Sequence, residues 1–503
     1  MKFEIRTSKL EGNPKYLCSN FGHWSFTRIS SFEFRHFGLI ALCFLMSFGN
    51  AIASQTLQRP NFIIFIADDM GGDDCGAYGN PHVRTPHIDR LAATGMRFDN
   101  AFLTCSSCSP SRASILAGRF PHNTGAEQLH WPVPAEQLFF VEPLRDSGYW
   151  TASAGKWHLG PHVKNKFDKV AEGRGQWLAT LRARPADRPF FLWLASTDPH
   201  RPYKPGAIDR PHAPSDVVVP PYLPDAPETR ADLALYYDAI GRLDRDLGEV
   251  LAELDRQGIA DQTCILFISD NGRPFPRCKT TVYDSGIKTP WIVRWPGRVA
   301  AGSKCRSLVS SVDIAPTILE LASVTRPETL QGVSIASLLV DPQATVQPYV
   351  FAEHNWHDYT AYDRAVRSSR YKYIRNGYID LPLTPPADAV KGETFQAMRR
   401  LRDAGSLSAA QSTCFTKPRA AEELYDLEAD PHELVNLAGR SNLAATQKDL
   451  SAALDAWQRA TRDRMPEVRT PDGYDRETGE PLPVGRLKPR PSTPEFRAER
   501  LAE

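Results

Sequence analysis

The sequence lacks three features that would assign its class directly. No Asn-x-Ser/Thr motif occurs in its 503 residues, although such acceptor sites are typical of eukaryotic secreted glycoproteins. The formal net charge is only +1 with 24% charged residues, so the overall charge does not favour nucleic acid as a partner. No apolar run after residue 53 is long enough to span a bilayer. Class must therefore be inferred from particular residues.

An N-terminal apolar run predicts a signal peptide. Arg35 and His36 precede "FGLIALCFLMSFG", and small residues follow up to a cleavage site after Ala53. Residues 1–53 thus resemble an export signal with an unusually long positively charged region, too short in its apolar part to be a stable anchor. We expect a periplasmic or extracellular protein, and the missing glycosylation motifs favour bacterial export over a lysosomal location.

Cysteine usage raises a question about one short stretch, "LTCSSCSPSR". Seven cysteines would remain after signal removal, and Cys105 and Cys108 have C-x-x-C spacing. This spacing is typical of a redox dithiol or of half a zinc site. No second C-x-x-C pair follows that would complete a four-cysteine zinc site.

Three short apolar segments predict buried strands that end in polar residues. They are "NFIIFIADD", "PFFLWLASTDPH" and "TCILFISDNG", with helical patterns between them. Strands alternating with helices predict an α/β fold: a large, mostly parallel sheet sandwiched by helices. Ligands of such sheets bind outside the carboxyl ends of the strands, so the three polar ends should converge on one crevice.

One long helix is predicted between the second and third of these strands. Its apolar residues recur at helical spacing. Thr229 and Asp232 form a capping-box pattern that predicts its start, and Gly258 predicts its end.

A change of pattern near residue 345 predicts a second domain. The strand-like pieces "YVFAEH" and "RYKYIRN" and a helix over 444–462 indicate a smaller C-terminal α+β domain. We predict a catalytic domain over 58–345, the smaller domain over 346–465, and a tail rich in proline and charge over 466–503.

Acidic residues at two strand ends predict a metal site. Asp68 and Asp69 follow the first strand, and Asp270 and Asn271 follow the third. Three carboxylates and an amide form an all-oxygen set that suits Ca²⁺ or Mg²⁺ better than zinc. Without a cation the three acids would repel one another.

The stretch around Cys108 predicts a helix N-terminus. Pro110 suits a first helical turn, and the following residues continue a helix to Gly118. The backbone N–H groups there favour an anion, and Arg112 adds a cationic fork one turn along.

Cys108-Ser109-Pro110-Ser111-Arg112 followed by "ASILAGR" resembles the signature of the type I sulfatases, which have an alkaline-phosphatase-like fold. Further blocks agree in the same order: "ADD", "TPHIDRLAATGMRFDNAF", "GKWHLGP", "DPHRPY", "SDNG" and "ELYDLEADPHELVNLA". The likeness extends from about residue 61 to about residue 462. Within the family, "CSSCSPSRAS" and "DNGRPFP" resemble the heparan N-sulfatases (sulfamidases).

This resemblance implies a set of roles. Cys108 would be oxidised to Cα-formylglycine, whose hydrate attacks sulfur, and one Ca²⁺ would be held by the four strand-end residues together with position 108. The remaining roles are charge stabilisation by Arg112, Lys156 and Lys279, proton donation by His200, proton acceptance by His158, and weaker substrate contacts by His357 and Tyr203. Arg277, close to Lys279, is expected at the surface, and Cys105 is expected to be a packing residue.

Several functions remain open at this level. The preferred substrate is the N-sulfate of glucosamine residues in heparan sulfate or heparin. Alternatives are an O-sulfatase on another sulfated polysaccharide, a phosphonate or phosphate monoester hydrolase, and an inactive glycan-binding homologue. Expected partners are a sulfated saccharide and a formylglycine-generating enzyme, with no nucleic acid and no membrane span after signal removal; a homodimer is compatible with the resemblance.

Overall fold

An eight-stranded sheet organises residues 59–483, which are the residues that this computed structural model describes. The strand order is β5-β4-β6-β1-β7-β8-β2-β9. The strands are β1 (Asn61–Ala67), β2 (Met96–Phe98), β4 (Trp150–Gly155), β5 (Lys169–Glu172), β6 (Phe190–Ala195), β7 (Thr263–Ser269), β8 (Ile292–Arg294) and β9 (Ser303–Cys305), while β3 (Ala101–Phe102) and β10 (Val309–Ser310) form a separate pair.

The centre of the sheet is parallel, as predicted. Strand β1 pairs in parallel with β6 and β7, and β4 pairs in parallel with β5 and β6. Only β8 runs antiparallel to its neighbours β7 and β2. The carboxyl ends of β4, β6, β1 and β7 therefore lie along one edge, where the polar residues follow.

Both faces of the sheet are covered. Alternate residues of β1 belong to different cores: Phe62, Ile64 and Ile66 pack on one face, and Ile63 and Phe65 pack on the other. Burial on both faces explains why the strand is apolar throughout instead of alternating.

Helices surround the sheet and connect its strands. They are α1 (Pro86–Ala93), α2 (Cys108–Ala117), α3 (Val141–Asp146), α4 (Gln176–Arg182), α5 (Pro227–Arg256), α6 (Asp284–Ile287), α7 (Ile314–Leu321), α8 (Ala387–Val390), α9 (Glu393–Asp403) and α10 (Ala444–Thr461). The α/β fold class predicted from the sequence is confirmed.

The predicted start of the long helix was wrong by three residues. Helix α5 begins at Pro227 with Ala226 as N-cap, and Thr229 is buried within the first turn. Proline at the first helical position has the required φ and needs no hydrogen bond for its nitrogen, so it replaces the expected cap. The predicted end is confirmed, because Gly258 has φ +67° just past the helix.

A smaller antiparallel sheet follows the main one. Its order is β11 (Val350–His354), β12 (Asp363–Arg367), β13 (Tyr371–Asn376) and β14 (Glu422–Asp426). Helix α10 packs on this sheet, with Trp457 stacked on Phe351 at 5.2 Å between ring centroids. Strand β11 is hydrogen-bonded to the segment before α2, because the Glu353 N–H donates to the Thr104 carbonyl at 2.8 Å.

The predicted signal peptide and the last twenty residues of the predicted tail lie outside the described residues, so both remain predictions. Within residues 59–483, no helix combines the length and apolarity needed to cross a membrane.

Candidate active site

Helix α2 presents Cys108 as its first residue. Ser107 has the extended conformation of an N-cap, and the helix ends at Gly118 with φ +61°. This confirms the predicted helix from Cys108 to Gly118. The side chain at position 108 therefore lies at the helix end whose free N–H groups and dipole attract anions.

Four ligand atoms converge beside this helix end. One atom each from Asp68, Asp69, Cys108 and Asp270 lie within 4.8 Å of one another, and all four residues are buried. The Asn271 side chain adds a buried carbonyl oxygen that has no hydrogen-bond donor among the described residues. An orphaned amide oxygen beside three carboxylates is the donor set that a hard divalent cation requires. The cluster can hold a metal ion.

Each carboxylate also has a cation within hydrogen-bond distance. The Lys156 ammonium donates to both Asp68 oxygens at 2.6 and 2.7 Å. The Lys279 ammonium donates to Asp69 at 2.7 Å, and the Arg112 Nε donates to Asp270 at 2.8 Å.

These contacts place three positive charges around the position 108 side chain, which is the charge pattern needed to bind a sulfate or phosphate group.

Burial and charge act in opposite directions on these acids. Burial would raise the pKa of Asp68, but Lys156, His200 and Arg112 outweigh it and hold that pKa well below its ordinary value. For Asp270 burial dominates over Arg112, so its pKa rises to about 6. Such strong shifts within one crevice are typical of functional sites.

The two thiols of the C-x-x-C pair are not poised for redox chemistry. Burial raises the pKa of both Cys105 and Cys108 well above the ordinary thiol value. Reactive dithiols require the opposite shift. All seven cysteines of the described residues are free and buried, so Cys105 is the packing residue that we expected.

Two partly buried histidines, His158 and His200, lie near the cluster. His200 Nε2 is 3.8 Å from Asp69 Oδ2. His158 Nε2 lies 2.7 Å from Nδ1 of His130. Burial, with help from Lys156, lowers the pKa of His158 to about 2, so its imidazole is neutral.

His130 was not predicted from the sequence. It is 28 residues before His158 and adopts a left-handed conformation with φ +66°. Its backbone N–H donates to Ser109 Oγ at 2.9 Å, in the first turn of α2. No spacing rule points to it, because its partners are distant in the chain.

The segment after strand β11 reaches the site through His357. Its Nδ1 lies 2.7 Å from Ser107 Oγ, one residue before Cys108, and its side chain is buried. The Tyr203 ring is 6.2 Å from that of Tyr236, whose hydroxyl oxygen is 3.3 Å from the Asp69 carbonyl. The substrate contacts expected of His357 and Tyr203 remain predictions.

The expected surface position of Arg277 was wrong. This residue is only 2% exposed, lies over the Tyr283 ring at 4.0 Å, and donates to the carbonyls of His432 and Glu433. Partners from a distant segment satisfy its charge, and sequence neighbours could not reveal them.

Comparison with known proteins agrees with this geometry. A family model described as Sulfatase matches residues 60–177 and 175–324. The chain belongs to the sulfatase family. This sulfatase also matches a model described as N-sulphoglucosamine sulphohydrolase, C-terminal, over residues 277–380. It is accordingly a sulfuric-ester or sulfamate hydrolase.

Two curated relatives show how far the sulfatase resembles characterised proteins. N-sulphoglucosamine sulphohydrolase of Homo sapiens is 33% identical over 477 residues, covering 82% of this chain and 93% of the relative. An ulvan-active sulfatase of Formosa agariphila is 30% identical over 461 residues, covering 82% and 77% respectively.

Solved structures confirm the fold. One, bound to D-glucosamine-2-N,6-O-disulfate, has a TM-score of 0.62 and 21% identity and covers 81% of this sulfatase and 99% of that chain. A phosphonate monoester hydrolase from Silicibacter pomeroyi has a TM-score of 0.61 and 19% identity, with coverage of 83% and 99%. At these identities the likeness concerns the fold alone.

Proposed function

We propose that this sulfatase removes sulfate from sulfated glycans, with the N-sulfate of glucosamine residues as its preferred substrate. The observation that carries the reaction class is the convergence of Cys108, three carboxylates and three cations at one helix N-terminus. The substrate preference is supported by the identity to human N-sulphoglucosamine sulphohydrolase across most of both chains.

Position 108 is the proposed nucleophile, after conversion of the cysteine to formylglycine by a maturation enzyme. The hydrated aldehyde would supply an oxygen nucleophile where the unmodified residue is a buried, protonated thiol. The direction of the helix places this group where backbone N–H groups attract the sulfate.

The proposed metal is one Ca²⁺ held by Asp68, Asp69, Asp270 and Asn271 together with position 108. Oxygen ligands of this type match Ca²⁺, which would polarise a sulfate oxygen when bound. The orphaned Asn271 oxygen supports the assignment, since a cation would satisfy it.

The cations are proposed to stabilise charge, and the histidines are proposed to transfer protons. Arg112, Lys156 and Lys279 bind the sulfate oxygens and stabilise the negative charge that grows on them. His200 donates a proton to the leaving atom of the sugar. His158, whose Nδ1 has no hydrogen-bond partner among the described residues, accepts a proton from the position 108 group.

An O-sulfatase is the second candidate, supported by the ulvan-active relative. Release of sulfate from N-sulfoglucosamine and from glucosamine 6-O-sulfate distinguishes the two. The proposal predicts faster release from the N-sulfate by the full-length protein produced with a maturation enzyme, and none by a Cys108→Ala control. Release from the O-sulfate alone would contradict the proposed substrate while leaving the reaction class intact.

We also propose that the protein is exported after removal of residues 1–53. The apolar run and the small residues before Ala53 support this. N-terminal sequencing of protein recovered from the periplasm or medium should begin after Ala53, and an N-terminus at Met1 there would contradict the proposal.

A further inference from the structure

One acidic side chain of the C-terminal domain faces the proposed proton donor. Asp388 Oδ2 lies 4.0 Å from Nε2 of His200, and the same nitrogen is 3.8 Å from Asp69 Oδ2. The donor nitrogen of His200 is therefore bordered by the metal-type cluster on one side and by Asp388 on the other. Asp388 takes part in none of the proposed reaction steps.

The position of Asp388 is fixed by the short helix α8. The N–H of Ala387 donates to Asp358 Oδ2 at 3.0 Å, and Asp358 directly follows His357, which contacts Ser107. Within Asp388, Oδ1 accepts from the Ala389 N–H at 2.7 Å. The other oxygen is thereby turned toward His200.

The environment of Asp388 differs from that of the other site acids. Its side chain is 33% exposed, whereas those of Asp69 and Asp270 are 0% exposed. No lysine or arginine within residues 59–483 is within ion-pairing distance of it. An accessible carboxylate that has no direct ion pair with a lysine or arginine, beside the proton donor, is suited to contact the sugar side of the bond that breaks.

The charge of the leaving atom differs between the two candidate substrates. In an N-sulfate the nitrogen takes the proton of His200 and becomes positive before the N–S bond breaks; it then keeps the electron pair of that bond and leaves as a neutral amine. The resulting amine is basic and takes up a further proton from water near neutral pH, becoming an ammonium group. When an O–S bond breaks, the oxygen gains the proton and becomes a neutral hydroxyl.

We propose that Asp388 is a specificity-determining residue that selects N-sulfates over O-sulfates. Because Asp388 Oδ2 is 4.0 Å from His200 Nε2, a leaving atom that is hydrogen-bonded to Nε2 can lie beside this carboxylate. There the carboxylate stabilises a nitrogen that becomes positive and disfavours an oxygen that becomes negative before it is protonated. This inference rests on the proposed N-sulfate substrate.

The test compares two substrates in four proteins. We would measure kcat/KM for N-sulfoglucosamine and for glucosamine 6-O-sulfate with the wild type, Asp388→Asn, Asp388→Glu and a control, Asp403→Asn. Asp403 is an exposed acid of the same domain, 68% exposed and paired with Arg402. Thermal unfolding of each variant establishes that it is folded.

We expect Asp388→Asn to lower kcat/KM for the N-sulfate by about 10- to 100-fold, with the O-sulfate rate unchanged or raised. Asp388→Glu should restore part of the loss, and Asp403→Asn should match the wild type. An equal loss on both substrates would overturn the inference, because it would indicate that Asp388 only orients His200. No loss on either substrate would overturn it as well.

Product binding gives a readout that does not depend on turnover of the N-sulfate. Glucosamine should inhibit sulfate release by the wild type more strongly than sulfate release by Asp388→Asn. N-acetylglucosamine, which has no ammonium group, should inhibit sulfate release by both proteins equally. Equal inhibition by glucosamine would contradict the role of Asp388. Failure of the proposed function can be told apart from failure of this inference. If the proposed function is wrong, the wild type itself releases no sulfate from the N-sulfate.

Discussion

Two pairs of adjacent acids occur five residues apart in the loop after β1, and their surroundings differ. Asp73 and Asp74 both form ion pairs with Arg273, whose Nη2 lies 2.6 Å from Asp73 Oδ1 and 2.8 Å from Asp74 Oδ1. Tyr236 adds a hydrogen bond to Asp74 at 2.7 Å. Asp68 and Asp69 instead meet a third carboxylate, a thiol and an orphaned amide oxygen.

The comparison separates charges that stabilise the fold from charges that serve a reaction. In the group of Asp73, Asp74, Arg273 and Tyr236, two carboxylates share one cation, and no fully buried polar side-chain atom lacks a partner. In the group around Cys108, each of three carboxylates has a cation, but the carboxylates crowd one another and the Asn271 oxygen has no donor among the described residues, which costs stability unless an ion is bound there. Proteins retain such arrangements where function requires them.

The largest expected effect tests which of two neighbouring cysteines carries the chemistry. Cys108→Ala should lower kcat/KM for sulfate release by about 10⁴-fold or more, because it removes the proposed nucleophile. Cys105→Ala, which changes the other buried thiol of the same pair, should keep most of the activity. Similar losses in both variants would indicate a role for the pair itself.

The second effect tests the group formed by Asp73, Asp74 and Arg273, which we expect to stabilise the fold. Arg273→Met leaves Asp73 and Asp74 without their cation, so we expect the free energy of unfolding to fall by about 3–5 kcal/mol near pH 8, measured by chemical denaturation. The exposed Arg306 provides a control, since Arg306→Met should change stability by no more than about 0.5 kcal/mol. A stable but inactive Arg273→Met protein would indicate that Arg273 serves the reaction and not the stability of the fold.

The smallest effect is a pH dependence of stability. Burial, only partly offset by Arg273, raises the pKa of Asp74 to about 6 in the folded protein, above its ordinary 3.8. A raised acid pKa stabilises the fold at low pH, and this contribution is lost as the pH rises through about 6.

Asparagine does not titrate, so the unfolding free energy of Asp74→Asn relative to the wild type should increase by about 1–3 kcal/mol from about pH 4.5 to about pH 7. Parallel pH profiles of the two proteins would contradict the raised pKa.

Much of the framework could be predicted from the sequence because its signals are local. Strand β1 is a continuous apolar run that ends at two acids, and Gly118 and Gly258 end helices with positive φ. The residues after β1, β4, β6 and β7 meet because parallel strands share one carboxyl edge.

The parts that were missed depend on contacts between distant segments. Strand β12, "DRAVR", contains charged residues that no apolar pattern would select, yet it is buried because Arg364 pairs with Asp463 and Asp363 pairs with Arg419. His130, Arg277 and Asp388 likewise acquire their neighbours only when the chain has folded.

The most direct test of the central claim is the mass of the peptide that contains residue 108. It would be measured in full-length protein produced with a maturation enzyme and shown to release sulfate. The proposed mechanism predicts that this peptide has lost the cysteine sulfur and carries an aldehyde oxygen in its place. Unmodified cysteine throughout a fully active preparation would contradict it.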